Sequence, residues 1–390
     1  MTRLRRTASA VLLLALPLSV AATAVPAWAA PAPAAATVRA SVQLELPRPT
    51  GPFAVGREIV HLVDRNRTDP WVPSAGPRQL MVSMYYPAKP GTDGPAPYMT
   101  PEAARLLLDG KLPGNTVPTE VVSGARTWSR TGAAPQHGRF PLVVLSPGFT
   151  MPRTELTALA EDLTSHGYVV ALVDHTYENY GTTFPDGHTT TCVMCGKFLT
   201  REDWAGLDAS RAKDVSFVLD RLTDRPHPAW RYAHLIDRSR IGMAGHSVGG
   251  AATVPTMLTD DRVRAGVNLD GSMDFGVPAT GLKGKPLLML GHPPEDGQED
   301  TSWTDGWAAL DGWKRWLTVT GSDHGTFTDI PVLAEQLGLP HPPTTTITPE
   351  RGVQLTRQYV TAFFDLQLKG IPRPVLDGPT PQNPEITFHP

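Results

Sequence analysis

The feature that most constrains the fold is a train of short, apolar-rich runs separated by segments of helical periodicity. Leu142–Leu145, Tyr168–Val173, Arg240–Ala244, Val263–Leu269, Pro286–Leu290 and Leu317–Thr320 follow one another down the chain. Between them lie helical stretches at Arg153–His166, at Leu207–Leu222, from Val248 onward, and at about Pro349–Lys369, the last closed by Gly370 and Pro372. Strands without a polar face belong to a sheet covered on both sides, and parallel neighbours need helical crossovers. The expected fold class is therefore α/β, a mostly parallel doubly wound sheet with helices on both faces. Ahead of it, Arg57–Asp64 and Gln79–Tyr86 alternate as strands do, across a turn containing Pro and Asp, and read as an opening antiparallel pair.

The N-terminus reads differently. MTRLRR carries three arginines and no acid, Thr7 to Ala36 carries no charge, and Ala27-Trp28-Ala29 places small residues where a signal peptidase cuts. The apolar core Val11–Leu18 is shorter than the ~20 residues a bilayer span requires and is interrupted by Pro17. Residues 1–29 are accordingly expected to be a signal peptide and the mature chain to be secreted, without an integral membrane anchor. Arg5-Arg6 leaves a twin-arginine route open beside general secretion. Losing Arg3, Arg5 and Arg6 moves the formal net charge from −3 to −6, which argues against a nucleic-acid partner. Residues 30–50 are rich in Ala and Pro and read as a tether, leaving 51–390 as one catalytic domain. Within it, 87–139 is a Pro- and Gly-rich insertion, a functional loop region or partial lid. It holds one short helix, with Thr100 as N-cap, Pro101 behind it and Gly110 as terminator.

Gly245-His246-Ser247-Val248-Gly249 has the form G-x-S-x-G. The string alone is weak, but here a strand candidate enters it and a helix candidate leaves it, the setting of a nucleophile elbow. Ser247 is the expected nucleophile, and Val248 offers a backbone N–H to a developing oxyanion. His246 adjoins it and reads as a packing residue. Pro255 sits inside the proposed helix, which it should kink or shorten. The glycines at 242, 245, 249 and 250 contain no G-x-G pair and no Gly-Lys-Ser/Thr occurs, so dinucleotide and phosphate-loop readings fail.

A serine nucleophile needs a base, and the base an orienting acid. His324, in Gly321-Ser322-Asp323-His324-Gly325, directly follows a strand and precedes the last helix, with His292 as the rival. For the acid, Asp270 stands at the end of Val263–Leu269, whereas Asp296 and Asp300 follow Pro286–Leu290, the more usual acid strand in such folds. Spacing leans only slightly to Asp270.

These motifs resemble the bacterial relatives of the plasma-type, group VII platelet-activating-factor acetylhydrolases, which have the α/β-hydrolase fold. The resemblance runs from about Gly51 to Gly370. It is carried by Thr50–Gly56 (TGPFAVG), Phe140–Gly148 (FPLVVLSPG), Ser165–Val170 (SHGYVV), the elbow, Asn268–Met273 (NLDGSM) and Asp323–Asp329 (DHGTFTD). It implies a catalytic Ser247, Asp270 and His324, with Phe149 as the second oxyanion donor. It departs from the family at Pro147, where histidine is frequent. It implies a calcium-independent carboxylic ester hydrolase without cofactor or metal, acting on lipid esters with short or oxidised acyl chains. The partners expected are a small-molecule or lipid ester and, transiently, a lipid surface, with the chain a monomer. A cutinase-like hydrolase of polyesters or triglycerides, or a peptidase using the same triad, is the alternative within catalysis. A non-catalytic exported binding protein on the same scaffold is the alternative outside it.

Cys192 and Cys195 are the only cysteines. With His188 nearby they invite a metal reading, but no fourth ligand is evident, and in an exported chain a local disulfide is expected. Trp303, Trp307, Trp313 and Trp316 read as packing against the sheet.

Overall fold

A computed structural model describes residues 42–91, 94–197, 199–224, 226–294 and 300–390. The expected signal peptide and most of the expected tether lie outside them. Ten strands form one sheet in the order β12-β11-β10-β9-β8-β4-β5-β2-β1-β3. The antiparallel opening pair is β1 (Ala54–Thr68) and β2 (Pro77–Ala88), with β3 (Arg130–Thr131) beside β1. The parallel centre comprises β4 (Phe140–Ser146), β5 (Val169–His175), β8 (Ile236–His246), β9 (Val263–Leu269), β10 (Leu287–Gly291) and β11 (Lys314–Val319). β12 (Ile386–Phe388) closes one edge antiparallel to β11, and β6 (Thr182–Thr183) with β7 (Thr189–Thr190) form a separate ribbon.

The pleat sorts the apolar runs into two layers. Leu142 and Val144 join the core beneath α4 (Arg201–Thr223) and α6 (Thr253–Thr259), while Val143 and Leu145 face α3 (Thr157–Ser165) and α9 (Pro349–Lys369). β4, β5 and β10 are thus buried on both sides, as their continuous apolar runs require, while β11, next to the edge, is half-buried. Leaving β4 the chain crosses to β5, yet β8 lies on the other side of β4. Reversals of this kind open a crevice at the carboxyl ends of the two strands, the usual ligand position in open α/β sheets.

Several local readings change. Residues 42–50 are not tether: Leu44 and Leu46 are buried, and Leu46 N donates to Arg126 O. Val42, Leu44 and Leu46 alternate as strand residues do, a pattern masked by the flanking Ala/Pro composition. Together with α1 (Pro101–Lys111), α2 (Thr119–Ser123) and α8 (Ile330–Gln336) they build a third apolar cluster. Gly110 does not terminate α1. A Cβ there would meet the Tyr180 ring at 2.3 Å, so this glycine permits a close approach. α4 begins six residues before Leu207, because Thr200 and Asp203 form a reciprocal capping box. Pro255 splits the helix after the elbow into α5 (Val248–Ala251) and α6. As the third residue of α6 it lacks an N–H that would have no intrahelical acceptor in any case.

Candidate active site

Ser247 stands between the last residue of β8 and the first of α5, with φ 55°. A left-handed non-glycine residue at a strand-to-helix turn is strained, and it projects its side chain above the sheet. The flanking glycines make the turn possible. A Cβ on Gly249 would lie 2.0 Å from Ser146 O, and one on Gly245 would lie 2.3 Å from the Gly249 carbonyl carbon.

Asp270 follows β9 with φ 60°, a second left-handed turn that swings its carboxylate toward the neighbouring strand ends. His324 opens the short helical turn His324–Phe327 beyond β11, and its Nδ1 donates to Asp270 Oδ2 at 2.6 Å. That bond fixes the tautomer and leaves Nε2 as the basic nitrogen. His292, just past β10, donates to the same Oδ2 from Nδ1 at 2.6 Å and to Oδ1 from its peptide N–H at 2.9 Å. Burial by itself would raise the Asp270 carboxyl, but the bonds from His292 and His324 hold it at about 2.

Of the two histidines on this acid, the cleft distinguishes one. An apolar cavity of about 690 Å³ is lined by Ser247, Val248, Phe149 and His324, whereas His292 lines a neighbouring cavity with Asp270, Trp303 and Trp316. Asp300 also borders that second cavity, but its side chain caps α7 (Thr301–Ala309) by accepting from Ser302 N. Asp296 lies outside the described residues. Leu107, Leu108 and Leu112 from the α1 region line one wall of the Ser247 cleft, and Leu333 and Leu337 from α8 and its end line another.

Across the crevice, the loop after β4 presents Phe149, whose ring meets Trp204 of α4 edge-on at 5.2 Å. Among the described residues the Phe149 and Val248 N–H groups find no acceptor, while the adjoining Gly148 N–H is taken by Glu155 Oε1. Two free donors beside a serine hydroxyl are the equipment an oxyanion needs.

His246 does more than pack. Its Nε2 donates to His324 O at 2.8 Å and its Nδ1 faces Glu155 Oε1 at 3.3 Å. Burial alone would lower this imidazole, but the Glu155 carboxylate outweighs it and the ring is raised above its ordinary value. The main chain carrying His324 is thereby anchored to the elbow itself. Sequence reasoning missed Glu155 altogether, and saw His292 only as a rival base. A histidine on the loop where such folds often carry the acid was the available signal. Cys192 and Cys195 are joined by a disulfide. The tryptophans pack: Trp303 is buried and donates from Nε1 to Gly271 O at 2.7 Å, directly beneath the Asp270 turn.

The family model described as platelet-activating factor acetylhydrolase, isoform II, matches residues 38–185 and 227–370. A probable 1-alkyl-2-acetylglycerophosphocholine esterase of Arthroderma benhamiae is 30% identical over 379 residues, 88% of this chain and 93% of that one. The platelet-activating factor acetylhydrolase of Cavia porcellus is 26% identical over 213 residues, so the alignment spans about half the length of each protein. Among solved structures, a ferulic acid esterase from Streptomyces cinnamoneus is 44% identical and superposes with a TM-score of 0.79, over 88% of this chain and 99% of that one. With a mixed ten-stranded sheet of this order, the fold is that of an α/β-hydrolase, and the relatives make the chain a carboxylic ester hydrolase. The chain belongs to the platelet-activating factor acetylhydrolase family.

Proposed function

We propose that Ser247, His324 and Asp270 act as the catalytic triad, with the N–H groups of Phe149 and Val248 as the oxyanion hole. The observation that carries this reading is one cleft holding Ser247 on its strained turn and His324 on its buried acid. Ser247 Oγ attacks the ester carbonyl while His324 Nε2 takes its proton. The carbonyl oxygen becomes an anion facing the two amides, and the imidazolium is stabilised by Asp270. Collapse expels the alcohol with the proton returned from His324. Water then repeats the sequence on the acyl-serine and releases the acid.

The cleft, about 690 Å³ and walled by leucines, accommodates a larger acyl group than acetyl. An aromatic acyl group such as a hydroxycinnamoyl fits this lining, and the 44% identical ferulic acid esterase supports it. A glycerophospholipid with a short or oxidised acyl chain is the second reading, supported by the relative from Arthroderma benhamiae. Secretion after cleavage behind Ala29 completes the proposal, supported by the Cys192–Cys195 disulfide, since such bonds persist in oxidising compartments.

Rates on methyl ferulate, a p-nitrophenyl ester series and a short-acyl phospholipid, with Ser247→Ala as control, test this. The triad assignment fails if Ser247→Ala retains the parent rate or still reacts with a fluorophosphonate. A phospholipid rate well above that on methyl ferulate would reverse the order of the two substrate readings. The N-terminal sequence of protein recovered from the medium checks the cleavage site.

A further inference from the structure

Asp270 is shared by two imidazoles, and the cluster contains more donors than a triad uses. One ligand atom each from Asp270, His292 and His324 lie within 4.8 Å of one another. Both Nδ1 atoms already converge on a single carboxylate oxygen, each at 2.6 Å. Two imidazole nitrogens and one carboxylate are a donor set suited to a borderline-soft transition ion, and a poor one for Ca²⁺ or Mg²⁺, which take oxygen ligands. A tetrahedral ion bound at about 2.0–2.2 Å spaces its ligands roughly 3.3 Å apart, so each ring must withdraw from Oδ2 by only about 0.7 Å. Access is open, because the His324 side chain is 50% exposed and the His292 side chain 22%. The adjoining cavity of about 460 Å³, lined by Asp270, His292, Asp300 and His324, has room for a water as fourth ligand.

We propose that Asp270, His292 and His324 form a site for a divalent transition ion of the Zn²⁺ class, and that occupancy switches the esterase off. The ion is not part of the reaction; it competes with it. Binding forms coordinate bonds from the ion to Asp270 Oδ2 and to Nδ1 of each histidine. Each imidazole stays neutral, its one proton moving through solvent from Nδ1 to Nε2, with nothing oxidised or reduced. His324 Nε2 then carries a hydrogen, cannot accept the Ser247 proton, and has lost the acid that stabilised its charged form. The loss of activity rests on the triad reading above, whereas the site itself does not.

The test is a ZnCl₂ titration of the full mature chain turning over p-nitrophenyl butyrate, each variant read against its own zinc-free rate. Zinc should inhibit reversibly, with chelator restoring the rate and MgCl₂ and CaCl₂ without effect. His292→Ala and His292→Asn should each raise the half-inhibitory zinc concentration by at least ~10-fold. The Asn variant keeps a side-chain N–H for Asp270 but no imidazole, so it separates loss of a ligand from loss of structure. Calorimetric titration of Ser247→Ala with ZnCl₂ should show one site, lost in Ser247→Ala/His292→Asn. Equal inhibition of parent and His292 variants, or no zinc binding to Ser247→Ala, overturns the proposal. A parent without esterase activity that still binds zinc through His292 would sink the triad reading and leave the site standing.

Discussion

Among the described residues two groups of serine, histidine and aspartate invite comparison, the proposed triad, which borders a cleft, and a second group, which is buried. Ser146 Oγ lies 3.0 Å from His175 Nε2, and His175 Nδ1 lies 2.8 Å from Asp214 Oδ2, whereas the Ser247 group shows only the His324–Asp270 bond, at 2.6 Å. All three residues are buried, and Asp214 is committed to Arg78, which donates to both of its oxygens at 2.7 and 3.2 Å. Burial alone would raise Asp214, yet Arg78 and His175 hold it well below the usual carboxylate range. Burial, reinforced by Arg211, keeps His175 below its ordinary value and so neutral, with Nε2 free to accept the Ser146 hydroxyl proton. Arg211 also bonds Pro147 O, so this network braces the loop that presents Phe149. A complete Ser–His–Asp chain of contacts is therefore not by itself a catalytic site. Ser247 differs from Ser146 in its left-handed turn, in the cleft above it and in the free amides beside it.

Substitutions in matched pairs sharpen that contrast. Ser247→Ala should lower kcat by about 10⁴-fold or more and abolish fluorophosphonate labelling. Ser146→Ala should still label, since its hydroxyl never meets substrate. Asp270→Asn should cost roughly 10³- to 10⁴-fold in kcat, with stability at neutral pH lowered by no more than ~2 kcal/mol. Asp214→Asn should cost mainly stability, ~3 kcal/mol, because the buried Arg78 keeps Asp69 and Glu178 but loses the third of its carboxylates and His175 loses its anionic partner, with activity per folded molecule retained.

Acid sharpens the comparison further. Asp270 sits at about 2 in the folded protein, below an unfolded value of about 3.9. Its contribution, ~2 kcal/mol, is fully present above pH ~4 and is lost as pH falls toward 2. Urea melts of Asp270→Asn should therefore show a shallower decline than the parent across that window. Asp214 is depressed further, so its contribution is likewise present above the unfolded value but persists to lower pH. The smallest effect expected is at the disulfide. Cys192→Ser should cost ~2 kcal/mol, visible as a thermal midpoint lowered by a few degrees, with kcat on small esters unchanged.

Much of the scaffold was legible because its signals are local. Val263–Leu269 reads as a strand from its own composition and is one, and Gly245 and Gly249 announce a tight turn at any distance from the rest of the fold. Residues 42–46 were hidden because three alternating apolar residues say little without the α1–α8 cluster they pack against. His292 was visible as a histidine but not as the second donor to Asp270, a contact across twenty-two positions of sequence.

The sequence by itself determined a parallel sheet buried on both faces, an elbow with Ser247 at its apex and a short set of partners for it. Which of those candidate partners come together is a matter of tertiary structure. β9 and β10 are neighbours whose ends open on the same space, so acids on either loop are equally near in spacing terms. A left-handed turn at Asp270, seated over Trp303 and against Gly291, brings the carboxylate to both His324 and His292, and of the two His324 borders the cleft that holds Ser247. Strand runs and turns are written in neighbouring residues, whereas a site built from four strand ends exists only once those ends have been brought together.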